Sequence, residues 1–259
     1  MVNFLICGTQ KGGTTALDAY LRAHPKIAMA RIKEVHFFDQ DQWFVADPPD
    51  YAYYHRHFEQ IASRVGEATP IYLYWQAAAE RIWHYNPAMQ LIVLLRNPIT
   101  RAYSHWNMER ARHAESWSFA EAIRQESARC REALPQQHRV YSYVDRGFYS
   151  EQLRRLWRYF DRDQVLVLKS EALQLNPQQT LDQVCDFLEI ERLTTITPQQ
   201  VHVSPYTSPI SAADWDYLKT IFEYEIKQLE RMLDWDCRGW LNPPTIAHRQ
   251  ADAHTPRVS

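Results

Sequence analysis

The sequence predicts an α/β protein, a three-layer fold in which helices flank a central, mostly parallel sheet. Three observations predict it. Apolar runs bounded by turns, "VNFLIC" (2–7), "MQLIVLLR" (89–96) and "QVLVLKSE" (164–171), read as buried strands. Between them lie stretches with apolar residues at i, i+3 and i+4, which read as helices packed on a sheet. No internal repeat and no linker-like stretch divides the 259 residues, a length ordinary for one α/β domain.

Residues 2–7 form the first strand, and the glycine-rich turn "GTQKGGTT" (8–15) follows it directly. Leu17, Tyr20 and Leu21 then share a helix face, and this helix ends before Pro25. "KIAMA" is a second strand, "KEVHFFDQDQWF" an aromatic loop, and "YAYYHRHFEQIAS" a helix. "RVGEATP" reads as a strand end and loop, and "WQAAAERIWHY" as a helix. "MQLIVLLR" is the clearest strand; Asn97 and Pro98 cap and start the next helix, which runs to about Arg112. Residues 116–146 read as helix plus polar connection, "YSEQLRRLWRYF" as helix, and "PQQTLDQVCDFLEI" as a helix with Pro177 near its start. After the Pro- and Ser-rich loop "VHVSPYTSPIS" comes a long amphipathic helix, "AADWDYLKTIFEYEIKQLERMLDW". The domain is placed at 1–241, with 242–259 as a mobile tail.

Hydrophobic residues make up 46% and charged residues 23%, which is globular and not disordered. A net charge of −2 gives no global attraction to nucleic acid or to a membrane surface, so any anion site is local. Cys7, Cys130, Cys185 and Cys237 are scattered through apolar or helical stretches and read as buried free thiols rather than disulfides or metal ligands. The 9 Trp and 15 Tyr read as core in preference to an acceptor cleft. The first apolar run is too short for a signal sequence or a membrane span, and no run approaches 18 residues, so a soluble cytoplasmic protein is expected.

The turn carries the first functional signal. Gly8 and Gly13 keep the spacing of the phosphate-binding G-x-x-x-x-G-K-[ST] loop, but Thr14 stands where the lysine belongs and Lys11 lies inside the turn. Gly8, Gly12 and Gly13 are three of the chain's six glycines. A strand, a glycine turn and a helix aim backbone N–H groups at an anion, and Thr14 and Thr15 add hydroxyls. A kinase loop would need a strand-end aspartate to hold Mg²⁺. Here the strands end in Arg96 and Lys169, which bind anions and repel the metal.

"GTQKGGTTAL", "KEVHFFD" and "LLRNPITRAYSHW", in that order, resemble the sulfotransferases that use 3′-phosphoadenosine 5′-phosphosulfate (PAPS), most closely the branch with the heparan sulfate N- and 3-O-sulfotransferases and their bacterial relatives. "GEATPIYLY", "RGFYSEQLRRLW" and "VCDFLEI" extend the similarity over most of residues 3–190. The resemblance implies a P-loop-type fold and a 5′-phosphosulfate loop in which Gly12, Gly13, Thr14 and Thr15 bind the 5′-phosphate. It gives Lys11 the leaving oxygen, and Arg96 with Ser104 the 3′-phosphate. Arginine's planar fork suits that group. Arg101 shares a helix face with Ser104, and Arg101, Arg110 and Arg112 read as a solvated basic surface.

An acceptor hydroxyl or amine must lose a proton as it attacks. Glu34 matches the glutamate that does this in the heparan sulfate branch; Lys33 and His36 beside it would orient the acceptor or tune Glu34, although a lone histidine is more often structural. Two departures stand out: Ala68 occupies a place where the family often has lysine, and no lysine-glycine cofactor loop is evident near the C-terminus, where Tyr206 is a weak candidate for packing on adenine. The expected activity is sulfuryl transfer by in-line displacement to a carbohydrate or glycoconjugate, without a metal and with 3′,5′-adenosine bisphosphate as product. The competing readings are a small-molecule kinase using Mg-ATP and a silent anion-binding module. Nothing in the sequence identifies the acceptor or the oligomeric state.

Overall fold

β1 (Phe4–Gly8) runs through the middle of the sheet in this computed structural model, which describes residues 1–46, 48–58, 62–194, 196 and 208–243. β2 (Ile27–Met29), β3 (Arg64–Ala68), β4 (Gln90–Leu95) and β5 (Val165–Lys169) complete a five-stranded sheet in the order β2-β3-β1-β4-β5. Every neighbouring pair is parallel, with Phe4 opposite Gly66 on one side and opposite Gln90 on the other. Parallel neighbours need crossovers, and these supply α1 (Thr14–Arg22), α2 (Tyr51–His55), α3 (Ala78–Tyr85), α4 (Pro98–Ala111), α5 (Phe119–Arg131) and α6 (Tyr149–Leu156). After β5 come α7 (Ser170–Leu175), α8 (Pro177–Phe187) and α9 (Ala212–Leu233).

Strand side chains alternate between faces, so one strand feeds two cores. Phe4 and Ile6 join Ile92 and Leu94 against Leu17 and Leu21 of α1 and Leu181 and Val184 of α8. Leu5 and Cys7 join Leu91, Val93 and Leu95 against Phe37, Phe38, Tyr54 and Leu153. Burial on both faces is why these strands read as unbroken apolar runs rather than alternating ones. The helix starts follow local chemistry. Asn97 accepts from the Ile99 N–H at 2.9 Å with Pro98 in the first helical position. Ser118 and Glu121 form a reciprocal capping box at α5.

Three expectations change. The helix expected over 51–63 stops at His55, because the chain turns there to enter β3; residues 59–61 lie outside those described. α7 was not foreseen: the sequence shows only a strand end where Ser170 turns the chain straight into a helix. Cys7, Cys185 and Cys237 are buried free thiols, but Cys130 on α5 is only partly covered. Most of the proposed tail (244–259) and most of the loop around Tyr206 lie outside the described residues. Among those described, no helix is long and apolar enough to cross a membrane.

Candidate active site

Chain order places β2 and β3 on one side of β1 and β4 on the other. Connections therefore diverge at the carboxyl end of β1, the position where open parallel sheets hold ligands. The three segments marked by the sequence all leave strands at that edge. Residues 9–13 follow β1, Glu34 follows β2, and Arg96 follows β4.

The glycine turn is shaped by contact with β4. The Thr9 N–H donates to the Leu94 carbonyl at 2.9 Å and the Gly12 N–H to the Thr9 carbonyl at 2.8 Å. A Cβ on Gly12 would stand 2.5 Å from the Leu94 oxygen, so only glycine fits that approach. Lys11 and Gly13 take φ of 69° and 96°, the left-handed turns that fold successive N–H groups into a concave anion cradle. Thr14 is buried at the start of α1, whereas Thr15 is exposed.

Arg96 closes the other side. Its Nη1 donates to the Lys11 carbonyl at 3.3 Å and its Nε to Thr100 Oγ1 at 3.1 Å, while Tyr149 Oη donates to the Arg96 carbonyl at 2.9 Å. Ser104 is buried on α4. Burial, Arg96 and Arg112 hold the Lys11 ammonium below its ordinary pKa, opposed by Glu109, with Lys33 adding to the lowering. Arg110 and Arg112 are exposed as expected, but Arg101 is not part of a solvated surface. It is fully buried, donating through Nη2 to the Tyr143 carbonyl, because its side of α4 packs against the chain that leads into α6. One phosphate-loop side chain is tied from afar: Gln10 accepts from Arg146 Nη1 at 2.8 Å, and Arg146 is itself buried.

Glu34 heads a chain of charges. Lys33 Nζ lies 3.2 Å from Glu34 Oε1, and His36 Nε2 lies 3.2 Å from Glu34 Oε2. His36 Nδ1 is 3.0 Å from Oδ2 of Asp39, whose side chain is fully buried. Arg139 then pairs with Asp39 at 2.5 Å and packs its guanidinium 4.1 Å above the ring of Trp75. Burial alone would lower the His36 pKa, but hydrogen bonds to Asp39 and Glu34 outweigh it and raise it to about 9. Glu34 and Asp39 move the opposite way: burial would raise each, and the bond from His36 carries both below the ordinary range. At neutral pH, Glu34 is thus a carboxylate held by a cationic His36.

A second buried carboxylate lies beneath this loop. Glu67 of β3 is fully buried and accepts from Tyr54 Oη at 3.0 Å, Tyr72 Oη at 2.9 Å and Thr69 Oγ1 at 2.5 Å. Burial pushes its carboxyl up to about 7 against the pull of those donors. Ala68 beside it is buried, so no charge stands at the place where the family often has lysine.

The structure therefore brings Lys11, Gly12, Gly13, Thr14 and Arg96 into one cradle, and Lys33 of the Glu34 loop is near enough to Lys11 to shift its pKa. Sequence reasoning missed Asp39, Arg139, Arg146 and Glu67. Asp39 was within reach, since it follows His36 by three residues in the quoted motif; the others lie far from the motifs they serve. Among the described residues, no group of three or more His, Cys, Asp or Glu is placed to hold a metal ion.

Residues 2–205 match the sulfotransferase domain family. The chain belongs to that family. It is 34% identical over 197 residues to mouse heparan sulfate glucosamine 3-O-sulfotransferase 6, covering 74% of this chain and 53% of the relative. It is 24% identical over 320 residues to the membrane-associated sulfotransferase kil1 of Dictyostelium discoideum, covering 93% of this chain and 66% of the relative. The chain thus spans about half the length of the mouse relative. The crystal structure of a sulfotransferase from Alicyclobacillus acidocaldarius superposes with a TM-score of 0.80 at 27% identity, covering 93% of this chain and 99% of that one. A mouse sulfotransferase complexed with PAP shares the fold alone, at 12% identity and a TM-score of 0.52 over 89% of this chain and 85% of its own. The sulfotransferase family matches leave the kinase reading without support.

Proposed function

We propose that the protein is a PAPS-dependent sulfotransferase acting on a hydroxyl or amino group of a saccharide. One observation carries this reading: the Arg96 guanidinium reaches across to the Lys11 carbonyl, uniting a strand-tip cation with the glycine loop. The groups that converge there are N–H, hydroxyl and cationic donors, a set that fits a bisphosphate. Gly12, Gly13, Thr14 and Thr15 are assigned the 5′-phosphate, and Arg96 with Ser104 the 3′-phosphate.

When bound, PAPS supplies an activated sulfur: the acceptor oxygen or nitrogen bonds to it as the bond to the bridging 5′-phosphate oxygen breaks, releasing 3′,5′-adenosine bisphosphate. Lys11 stabilises the negative charge left on that oxygen, in a partly dry site where a fixed cation counts for more than in water. Glu34 takes the acceptor's proton, held ionised and oriented by His36 and Lys33. The saccharide reading draws support from the mouse relative.

Calorimetric titration with 3′,5′-adenosine bisphosphate and with ATP, each with and without Mg²⁺, tests the donor half. Metal-independent bisphosphate binding, weakened about 10- to 100-fold in Arg96→Ala, is expected. A preference for Mg-ATP that Arg96→Ala leaves unchanged would return the loop to the kinases. Transfer of radiolabelled sulfate from PAPS to heparan sulfate saccharides tests the acceptor half.

A further inference from the structure

We propose that Glu67, outside the reacting groups, is the positioning residue that fixes the Glu34 loop through the hydroxyls of Thr69 and Tyr72. The inference rests on the role given to Glu34 above. Thr69 Oγ1 accepts from the N–H groups of Val35 at 3.1 Å and His36 at 3.5 Å. Tyr72 Oη accepts from those of Phe37 at 2.9 Å and Phe38 at 3.4 Å. Four consecutive loop amides thus end on two hydroxyl oxygens, and both hydroxyls spend their single proton on Glu67.

That arrangement has a polarity. A hydroxyl has one proton and two lone pairs. An ionised carboxylate can only accept, so it turns the Thr69 and Tyr72 protons inward and leaves their lone pairs facing the loop. Tyr54 Oη donates to the same carboxylate oxygen as Tyr72, and the Val35 N–H also faces the carboxylate, so Glu67 touches the loop directly as well as through the two hydroxyls. If Glu67 donated a proton instead, a hydroxyl would give up a lone pair to it, and one loop amide would lose its acceptor. The loop amides have a second reason to need this grip, because His36 sits at φ 55°, a conformation a non-glycine residue holds only when its surroundings dictate it.

Glu67→Gln keeps the shape and reverses the polarity, since its amide nitrogen donates where the carboxylate accepted. Thr69→Val removes one hydroxyl at nearly constant volume, and Thr69→Ser restores it. Hydrogen–deuterium exchange over 33–40, read beside calorimetric binding of 3′,5′-adenosine bisphosphate, tests the idea without an acceptor. Glu67→Gln and Thr69→Val are expected to lower amide protection at 35–38 by about threefold to tenfold, with bisphosphate affinity unchanged and Thr69→Ser close to wild type. Where transfer to a saccharide is measured, the loss falls on kcat and not on the KM for PAPS.

Wild-type protection at 35–38 should also rise as pH passes from 5.5 to 8.5, while Glu67→Gln stays flat. The groups facing Glu67 are Tyr54 of α2, Thr69 and Tyr72 after β3, and Tyr85 of α3; the phenols keep their protons across that range, whereas His36 starts to lose its proton at the upper end, so the comparison with Glu67→Gln is read below about pH 8. Unchanged protection in Glu67→Gln and Thr69→Val overturns the proposal, as does a Thr69→Ser variant as damaged as Thr69→Val. If Glu67→Gln loses bisphosphate binding through misfolding, the Thr69 pair decides. Failure of the wild type to bind the bisphosphate overturns the donor assignment instead, and the exchange data still judge the hub.

Discussion

Lys11 reaches its place within the short turn between β1 and α1, whereas the Glu34 loop is held by partners as far away as Arg139, 100 residues from Asp39. The donor cradle is mainly backbone: left-handed residues, a glycine pressed on Leu94, and the free N–H groups of a helix start. The proposed base is mainly side chain, an ion chain through Lys33, Glu34, His36, Asp39 and Arg139 resting on a buried carboxylate and two hydroxyls. A cradle made of backbone binds any ligand with the right phosphates and survives changes elsewhere in the sequence. A base made of borrowed contacts can be re-aimed by distant substitutions, which suits the half of a transferase that must choose its acceptor.

The largest effect should separate the halves most cleanly. Glu34→Gln removes the proton acceptor and leaves the cradle intact, so transfer should fall about 10²- to 10⁴-fold with bisphosphate affinity unchanged. Loss of binding in that variant would show that the loop also shapes the donor site. Next comes Lys11→Ala, where transfer should fall about 10²- to 10³-fold, far more than donor affinity does, because the ammonium acts on charge that develops as the bond breaks. Equal losses in rate and in PAPS binding would reduce Lys11 to a simple anchor.

The same contrast decides what could be read from the sequence. Strands buried on both faces announce themselves as apolar runs, and the turn between β1 and α1 is local, so its glycines, lysine and threonines are visible together. Asn97 with Pro98 marks a helix start by chemistry confined to three residues. Arg101 was misplaced because helical spacing gives a face but not what covers it; the cover here is Tyr143, 42 residues on. Glu67 sits between Gly66 and Ala68 in a strand, where a single acid looks like an edge residue, and only the tertiary packing of Tyr54 and Tyr72 shows that it is an interior hub. Its meaning depends on partners that no sequence period brings together.

A backbone cradle can be attacked through its backbone. Gly12→Ala puts a Cβ 2.5 Å from the Leu94 carbonyl, which β4 cannot move aside. A cost of about 1–3 kcal/mol is expected, together with weaker bisphosphate binding. For a chain of this length that lowers Tm by about 2–4 °C per kcal/mol. Thr15→Ala, on the exposed side of the same turn, should leave Tm unchanged while loosening the bisphosphate. If Gly12→Ala were as stable as wild type, the cradle would be more pliant than its packing on β4 implies.

The smallest effect tests the ion chain by titration. Folding raises the His36 pKa from 6.5 to about 9, so the native state holds that proton more tightly than the unfolded chain does. The stabilisation is complete below about pH 6.5 and is lost as pH climbs through about 9. Glu34 and Asp39 are shifted down, so their share is present above the ordinary carboxylate range and is lost only in acid, as pH falls through their lowered values. Tm measured for wild type and His36→Gln between pH 6 and 10 should therefore converge as the pH rises. With 41% of the His36 side chain exposed, solvent screens the pair and keeps the gap small. A gap that stayed constant with pH would mean that His36 serves the loop by packing alone, and Glu34 would then owe its ionised state to Lys33.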